Sequence, residues 1–355
     1  MPRNQDRGYD LIRFVLTWAI FVHHVLTTAV SCGIPKPYVL NGVFYRLGGG
    51  FGRAAVSMFF MLSGALLWRN HQRPGKLFSY YYHRLVKLLV PLWICTIPLV
   101  LIDYMKEPAV VCSAYAKGTI LYNLLGLDLY LQVFTDVYPY HVCGEWFTSV
   151  ILTMYLVFPL LALAFRRRPG RVIAVAAVTA VYFLNLKYQI LSRGNGWFSF
   201  SGGLFFFTAG MLFELHRERL DNNACALAAF AGVAVVSLFF PRAIFGSVFL
   251  PNLAASLCLF VLLYRLGGAW RPLLEKPFFA RMIDGTCSVS YLIYLSHHFL
   301  IMLLMPLLLD AGANTLQFYI FLLAAAALTC GFSRSLLPVV RFSLKRLSLK
   351  EKKPG

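Results

Sequence analysis

Residues 7–28, RGYDLIRFVLTWAIFVHHVLTT, form the first long apolar stretch of the chain, yet they carry Asp10, Arg13, His23 and His24. An ionisable side chain inside hydrocarbon is costly and faces protein or water, so each is a functional-site candidate by default. On a helix the eleven steps from Arg13 to His24 make about three turns plus ~20°, which puts both on one face. At ~1.5 Å per residue they stand roughly 16 Å apart, about half the thickness of the hydrocarbon core. Asp10 lies ~60° round from Arg13 and shares its general face, whereas His23 points ~100° away from His24. One stripe therefore bears an acid, a base and an imidazole, leading from the membrane edge towards its middle.

The rest of the chain repeats the apolar theme. It has 355 residues, 59% hydrophobic and 13% charged, with mean hydropathy +0.68. A soluble domain carries about twice that charged fraction. Apolar runs near span length recur at 9–31, 54–69, 82–104, 146–165, 172–187, 199–215, 224–240, 246–265, 286–309 and 316–339. Backbone groups in lipid must pair within their own segment, so these are helices, and a barrel would instead show short alternating strands. The expected fold class is an all-α polytopic membrane protein of about ten transmembrane helices. The first span holds an Arg and two His and is followed by no small-x-small cleavage site, so a cleaved signal peptide is not expected.

The net charge of +19 reports topology. With both termini in the cytoplasm, 23 of the 33 lysines and arginines fall in inside segments and 8 in outside loops, the asymmetry of the positive-inside rule. No basic stripe with interleaved aromatics stands out, which argues against nucleic acid as a partner. The expected organisation is one membrane domain over residues 1–340 and a basic cytoplasmic tail over 341–355, RFSLKRLSLKEKKPG, suited to anionic lipid headgroups. Between about 105 and 145 the outer segment is too long for a turn and too apolar for a solvated loop, so it is expected to lie on or dip into the membrane. The eight cysteines form no CxxC pair. Cys112 and Cys143 make the best candidate bridge, with unbridged cysteines an equal alternative.

Two adjacent histidine pairs lie within spans, His23–His24 and His297–His298, the second in SVSYLIYLSHHFLI. Packing explains a lone histidine, but two pairs, one aligned with an intramembrane Arg, favour chemistry. Neighbouring histidines cannot ligate one ion from one helix face, so no metal is expected. Imidazole suits proton abstraction from a hydroxyl, and the Arg fork suits an anion. An anionic donor meeting a hydroxylated acceptor follows from that pair. Arg84 and Lys87, one turn apart at the start of the third span, either snorkel to headgroups or clamp phosphate. Ser63-Gly64 in FFMLSGALLW reads as a close-packing element. Trp146 is an interface anchor, and Glu145 beside it is a candidate for orienting a hydroxyl or an imidazole.

In these residues the chain resembles the membrane acyltransferase-3 family, whose members acylate sugars of envelope polysaccharides and related glycans. The resemblance comprises the Asp10, Arg13-x10-His24 start, FFxxSG (Phe59, Phe60, Ser63, Gly64), the basic entry Arg84, Lys87 and Pro91, and the fourth-span Trp146, Phe147, Tyr155 and Pro159. It continues in the S-x-YLIYLSH run of Ser288, Tyr291, Tyr294, Leu295 and His297. Many members have a second Arg where Lys87 stands, and many have WSL-x-x-E where this chain has WFTSV. The resemblance implies an integral membrane O-acyltransferase with His24 essential and Arg13 supporting the donor; Glu145 and His297 are further candidate catalytic residues. The donor is then acyl-CoA, acetyl-CoA favoured, held by Asp10, Arg13, Arg69, Arg84 and Lys87. The acceptor is a glycan or lipid-linked saccharide at a bacterial cytoplasmic membrane, with no soluble hydrolase-like domain expected. Whether His24 acts as general base or carries the acyl group stays open, and export of a polysaccharide or small molecule is the alternative function.

Overall fold

The structure, a computed structural model, describes residues 6–40, 42, 51–72, 76–135, 137, 140, 142–143, 145–192, 199–239 and 249–347. Among them there is helix and connecting chain but no strand. Eight helices are long and apolar enough to cross a membrane: α1 (Arg7–Ser31), α2 (Phe51–His71), α3 (Leu77–Lys106), α7 (Glu145–Phe165), α8 (Arg168–Tyr188), α12 (Phe249–Ala269), α14 (Pro277–Leu308) and α15 (Thr315–Leu347). Two shorter apolar helices, α9 (Phe200–Leu215) and α11 (Asn223–Phe239), occupy the remaining expected spans. The protein is thus an all-α, multi-pass membrane protein. Short helix α10 (Arg217–Leu220) joins α9 to α11, and α13 (Arg271–Leu274) joins α12 to α14.

Several helices outrun their apolar windows. α3 begins at Leu77 instead of 82, α14 at Pro277 instead of 286, and α15 continues to Leu347. The added residues mix aromatic and charged side chains with apolar ones. They carry ordinary helix propensity and can leave hydrocarbon without ending the helix, which hydropathy alone does not register. The first turns of the basic tail are therefore helical.

The chain divides into two compact units, residues 1–66 with 209–330, and residues 67–208 with 331–355. In the first, α1 packs on α14 and α12. Its core joins Phe21, Val25, Leu26 and Ala29 of α1 to Ile301 and Met305 of α14 and Phe318 and Phe321 of α15. A smaller cluster of Leu11, Leu274 and Ile283 lies nearer the start of α1.

In the second unit, proline shapes the contacts. Pro159 inside α7 has no N–H to offer the Tyr155 carbonyl. The Tyr80 hydroxyl of α3 donates to that carbonyl at 3.1 Å. Its neighbours repeat the move, Tyr81 to the Leu156 carbonyl at 3.1 Å and Tyr82 to the carbonyl of Leu347, the last residue of α15, at 2.9 Å. At the far end of α8, the Asn185 amide donates to the Ser201 hydroxyl at 2.9 Å and its oxygen accepts the Leu191 N–H at 2.7 Å, tying α8 to α9.

The outer segment folds into α4 (Pro108–Ala116), α5 (Thr119–Leu125) and α6 (Asp128–Phe134), with Gly118 and Gly126 both at φ 67° making the turns. Two of its polar side chains, Asn123 and Asp128, are buried. Asn123 donates to Asp128 at 2.9 Å and to the Cys143 carbonyl at 2.8 Å, while Val110, Tyr115, Leu121 and Phe134 are exposed. An apolar-out, polar-in arrangement suits contact with lipid. Trp93 of α3 caps the end of α5 by donating to the Leu124 carbonyl at 2.7 Å. Tyr140 donates to Asp103 at 2.6 Å, and burial, then this bond, push its phenol above the ordinary value. Cys112 and Cys143 are not bridged: Cys112 is exposed on α4, whereas Cys143 is buried behind the Asn123 contact.

The Tyr80 bond makes its own double-mutant test. Tyr80→Phe removes the donor from the Tyr155 carbonyl and is expected to cost about 1 kcal/mol in detergent unfolding. In a Pro159→Ala background, where the helix regains its own donor, the same change is expected to cost clearly less.

Candidate active site

The start of α1 is fastened on three sides. Asp6 caps the helix by accepting the Gly8 N–H at 3.2 Å. Arg7, 6% exposed, donates to Asp284 of α14 at 2.6 Å and lies 3.7 Å from Asp10. Tyr9 donates to Glu214 of α9, and Tyr264 of α12 donates to Asp6 at 3.1 Å. Arg217 completes the group, 3.3 Å from Asp6 and 3.8 Å from Glu214. Burial opposes the Arg217 charge, but the bond it donates to the Tyr264 hydroxyl and the two carboxylates outweigh that and raise its pKa above the ordinary value.

Close backbone contact reinforces the charges. A Cβ on Gly267 of α12 would stand 2.6 Å from the Arg7 carbonyl oxygen and from the Gly8 Cα. A Cβ on Gly8 would stand 2.7 Å from the Tyr264 ring. Small residues here let α1 and α12 touch backbone to backbone, as membrane helices do when no hydrophobic force separates protein from lipid.

Above this base stand the two stripe residues. Arg13 is half-buried, and among the described residues its guanidinium makes no hydrogen bond or ion pair. Asp10 is the nearest acid in effect, and it is shared with Arg7. Its carbonyl also accepts the Cys287 thiol at 3.4 Å.

At His24, α1 meets the second histidine pair. The His24 ring centroid lies 4.8 Å from that of His297 and 4.6 Å from that of His298. His297 is 3% exposed, and its Nδ1–H donates to the carbonyls of Tyr294 and Ile293 at 2.7 and 3.0 Å. A carbonyl only accepts, so this ring is held as the Nδ1–H tautomer and its Nε2 carries the lone pair. His23 turns away as the helical angle requires. A Cβ on Gly52 of α2 would overlap its ring, so His23 packs flat on that glycine.

The remaining expected residues belong to the other unit. Arg84 donates to the His71 ring at 2.8 Å, with the Tyr80 and Tyr155 centroids each 5.7 Å from its Cζ. Lys87 is exposed, its charge also acting on His71, and Arg69 is half-buried. Arg84 is thus a pre-set fork rather than a loose snorkelling chain. Glu145 opens α7, and its side chain lies outside the described residues. No group of three or more His, Cys, Asp and Glu among the described residues has metal-holding geometry.

The family model described as an acyltransferase domain, Acyl_transf_3, matches residues 6–334. The chain belongs to the acyltransferase-3 family. It is also similar to Nodulation protein 10 of Rhizobium leguminosarum bv. viciae, 24% identical over 238 residues, covering 61% of this chain and 61% of that relative. The chain thus spans about three fifths of the length of the curated relative it matches. No solved structure matches.

Two members of the site escape a one-helix reading of the family's residues. Arg7 sits just outside the first apolar window, and only tertiary pairing with Asp284 reveals it. His298 lies ~100° round its helix from His297, yet the His24 ring meets both where α1 crosses α14. The adjacent His-His pair was the available signal. Because the base of α1 rests on backbone contact, Gly267→Ala should lower the unfolding temperature, at a cost of about 1–3 kcal/mol. Gly268→Ala, with nothing within 4 Å of its Cβ, should leave it unchanged.

Proposed function

We propose that this protein is an integral membrane O-acyltransferase that moves an acyl group, acetyl favoured, from cytoplasmic acyl-CoA to a hydroxyl of a cell-envelope glycan or lipid-linked sugar. The observation that carries the reading is the α1 stripe: a half-buried Arg13 with no ion pair among the described residues, about three turns from an imidazole set among two others. Family membership supports the same chemistry. We place both termini in the cytoplasm of a bacterial inner membrane, following the charge asymmetry.

In this reading His24 removes the proton of the acceptor hydroxyl as the oxygen attacks the thioester carbonyl. His297 orients it, offering an Nε2 lone pair on a ring that its own helix fixes. Arg13 attracts the anionic donor. Arg84, Lys87 and Arg69 form a second basic group suited to phosphate, with Arg84 pre-positioned by Tyr80 and Tyr155. Asp10 tempers the charge of Arg7 and Arg13, and Glu145 stays a candidate for orienting the acceptor. Proton-coupled export fits less well, because Glu214 and Asp284 are engaged with Tyr9, Arg217 and Arg7 rather than poised in mid-span.

Purified protein in liposomes, given labelled acetyl-CoA and a sugar acceptor, tests the reading. Wild type should transfer label. His24→Ala should lose at least about 100-fold, and Arg13→Gln should raise the donor KM about tenfold. Full transfer by His24→Ala, or none by wild type, sinks it. An acyl adduct on His24, trapped without acceptor, would assign it as acyl carrier rather than base.

A further inference from the structure

Arg84 of α3 is held at one end of its guanidinium and open at the other. Its Nη2 lies 2.8 Å from Nε2 and 3.0 Å from Nδ1 of His71, the last residue of α2. A guanidinium only donates, so His71 meets it as an acceptor, through a ring lone pair. The Tyr80 and Tyr155 ring centroids each stand 5.7 Å from the Arg84 Cζ, and Tyr80 is itself held by its bond to the Tyr155 carbonyl. The Arg84 side chain is half-buried, and its Nε and Nη1 make no hydrogen bond among the described residues.

That leaves one edge of the fork, Nε with Nη1, presented as two parallel N–H donors. Such an edge pairs with two oxygens of one phosphate or carboxylate. A loose arginine loses rotamer freedom when it binds an anion, and one already held loses less, so the tether gains affinity without a new contact. His71 holds Nη2, and it thereby decides which edge stays open.

We propose that His71 is a positioning residue for the donor: by holding Nη2 it turns the open edge of Arg84 to a phosphate of acyl-CoA, and so favours a phosphate-bearing thioester over a phosphate-free one. This rests on the reading of Arg84 as part of the donor site. His71 acts through Arg84, so its loss weakens donor binding and spares the chemical step.

Two donors separate positioning from packing: acetyl-CoA, and S-acetylpantetheine, which has the same thioester arm without phosphates. Each is given to the full chain in liposomes with dodecyl maltoside as acceptor. His71→Ala should raise the acetyl-CoA KM about tenfold, and leave kcat and the S-acetylpantetheine KM within about twofold. His71→Asn, which keeps an acceptor, should recover most of the loss. Arg84→Gln should raise the acetyl-CoA KM at least as far, and His71→Ala added to it should raise it no further, because no guanidinium remains to be aimed. An unchanged acetyl-CoA KM in His71→Ala or in Arg84→Gln overturns the proposal. A loss shared equally by both donors, or one that persists in full on top of Arg84→Gln, overturns it too. Wild type that transfers from neither donor overturns the acyltransferase reading instead. Calorimetric binding of CoA, which needs no turnover, then decides the tether: His71→Ala should bind about tenfold more weakly, and equal binding or none by either protein overturns the proposal.

Discussion

The ion pair between Arg7 and Asp284 joins α1 to α14 at one end of both helices, and the imidazoles meet on the same two helices farther along. Two helices clamped at one end and packed along a common core have little freedom to slide or rotate. The Gly8–Gly267 contact adds a third point, because backbone that touches backbone cannot rotate without collision. Phe21, Val25 and Ile301 then carry the alignment up to His24. A site made of three rings within 5 Å depends on such a base, since one turn of slippage would move a ring by ~5 Å and separate them.

The same rule governs the other unit with different chemistry. In hydrocarbon every backbone carbonyl needs a donor, and proline removes one. Tyr80 supplies the missing donor to Tyr155, and its ring then flanks Arg84, so one residue repairs a helix and shapes a cation site. Trp93 and Tyr82 likewise serve carbonyls at helix ends. These three aromatic side chains therefore do structural work beyond the interface anchoring that composition alone assigns to Tyr and Trp.

The helices were legible because apolar runs of span length have one solution in lipid, and the Arg13–His24 stripe was legible because both residues lie on one helix. What joins helices was not. His298, Arg7 and Asp284 act across elements hundreds of residues apart, and helical geometry at one position says nothing of the partner it meets. The short helices between 107 and 134 turn at Gly118 and Gly126, where backbone at positive φ decides the path. Their apolar composition announced contact with lipid without announcing the turns. Cys112 and Cys143 left two readings open, a bridge or free thiols, and the structure has both thiols free.

Arg7 and Arg13 stand two turns apart on α1 and resolve the cost of a buried charge in opposite ways. Arg7 is sealed at 6% exposure, and Asp284 at 2.6 Å compensates its charge within the protein. Arg13 has no such carboxylate within ion-pair distance among the described residues, and Asp10, the acid whose field it feels, also lies 3.7 Å from Arg7. A structural arginine in a membrane is worth its desolvation only when it is paired, since an uncompensated charge costs several kcal/mol. Arg13 keeps part of its surface open, as the proposed role in binding an anionic donor requires. The contrast supports Arg7 as a fastening and Arg13 as a receptor for negative charge on the same helix face as the base it serves.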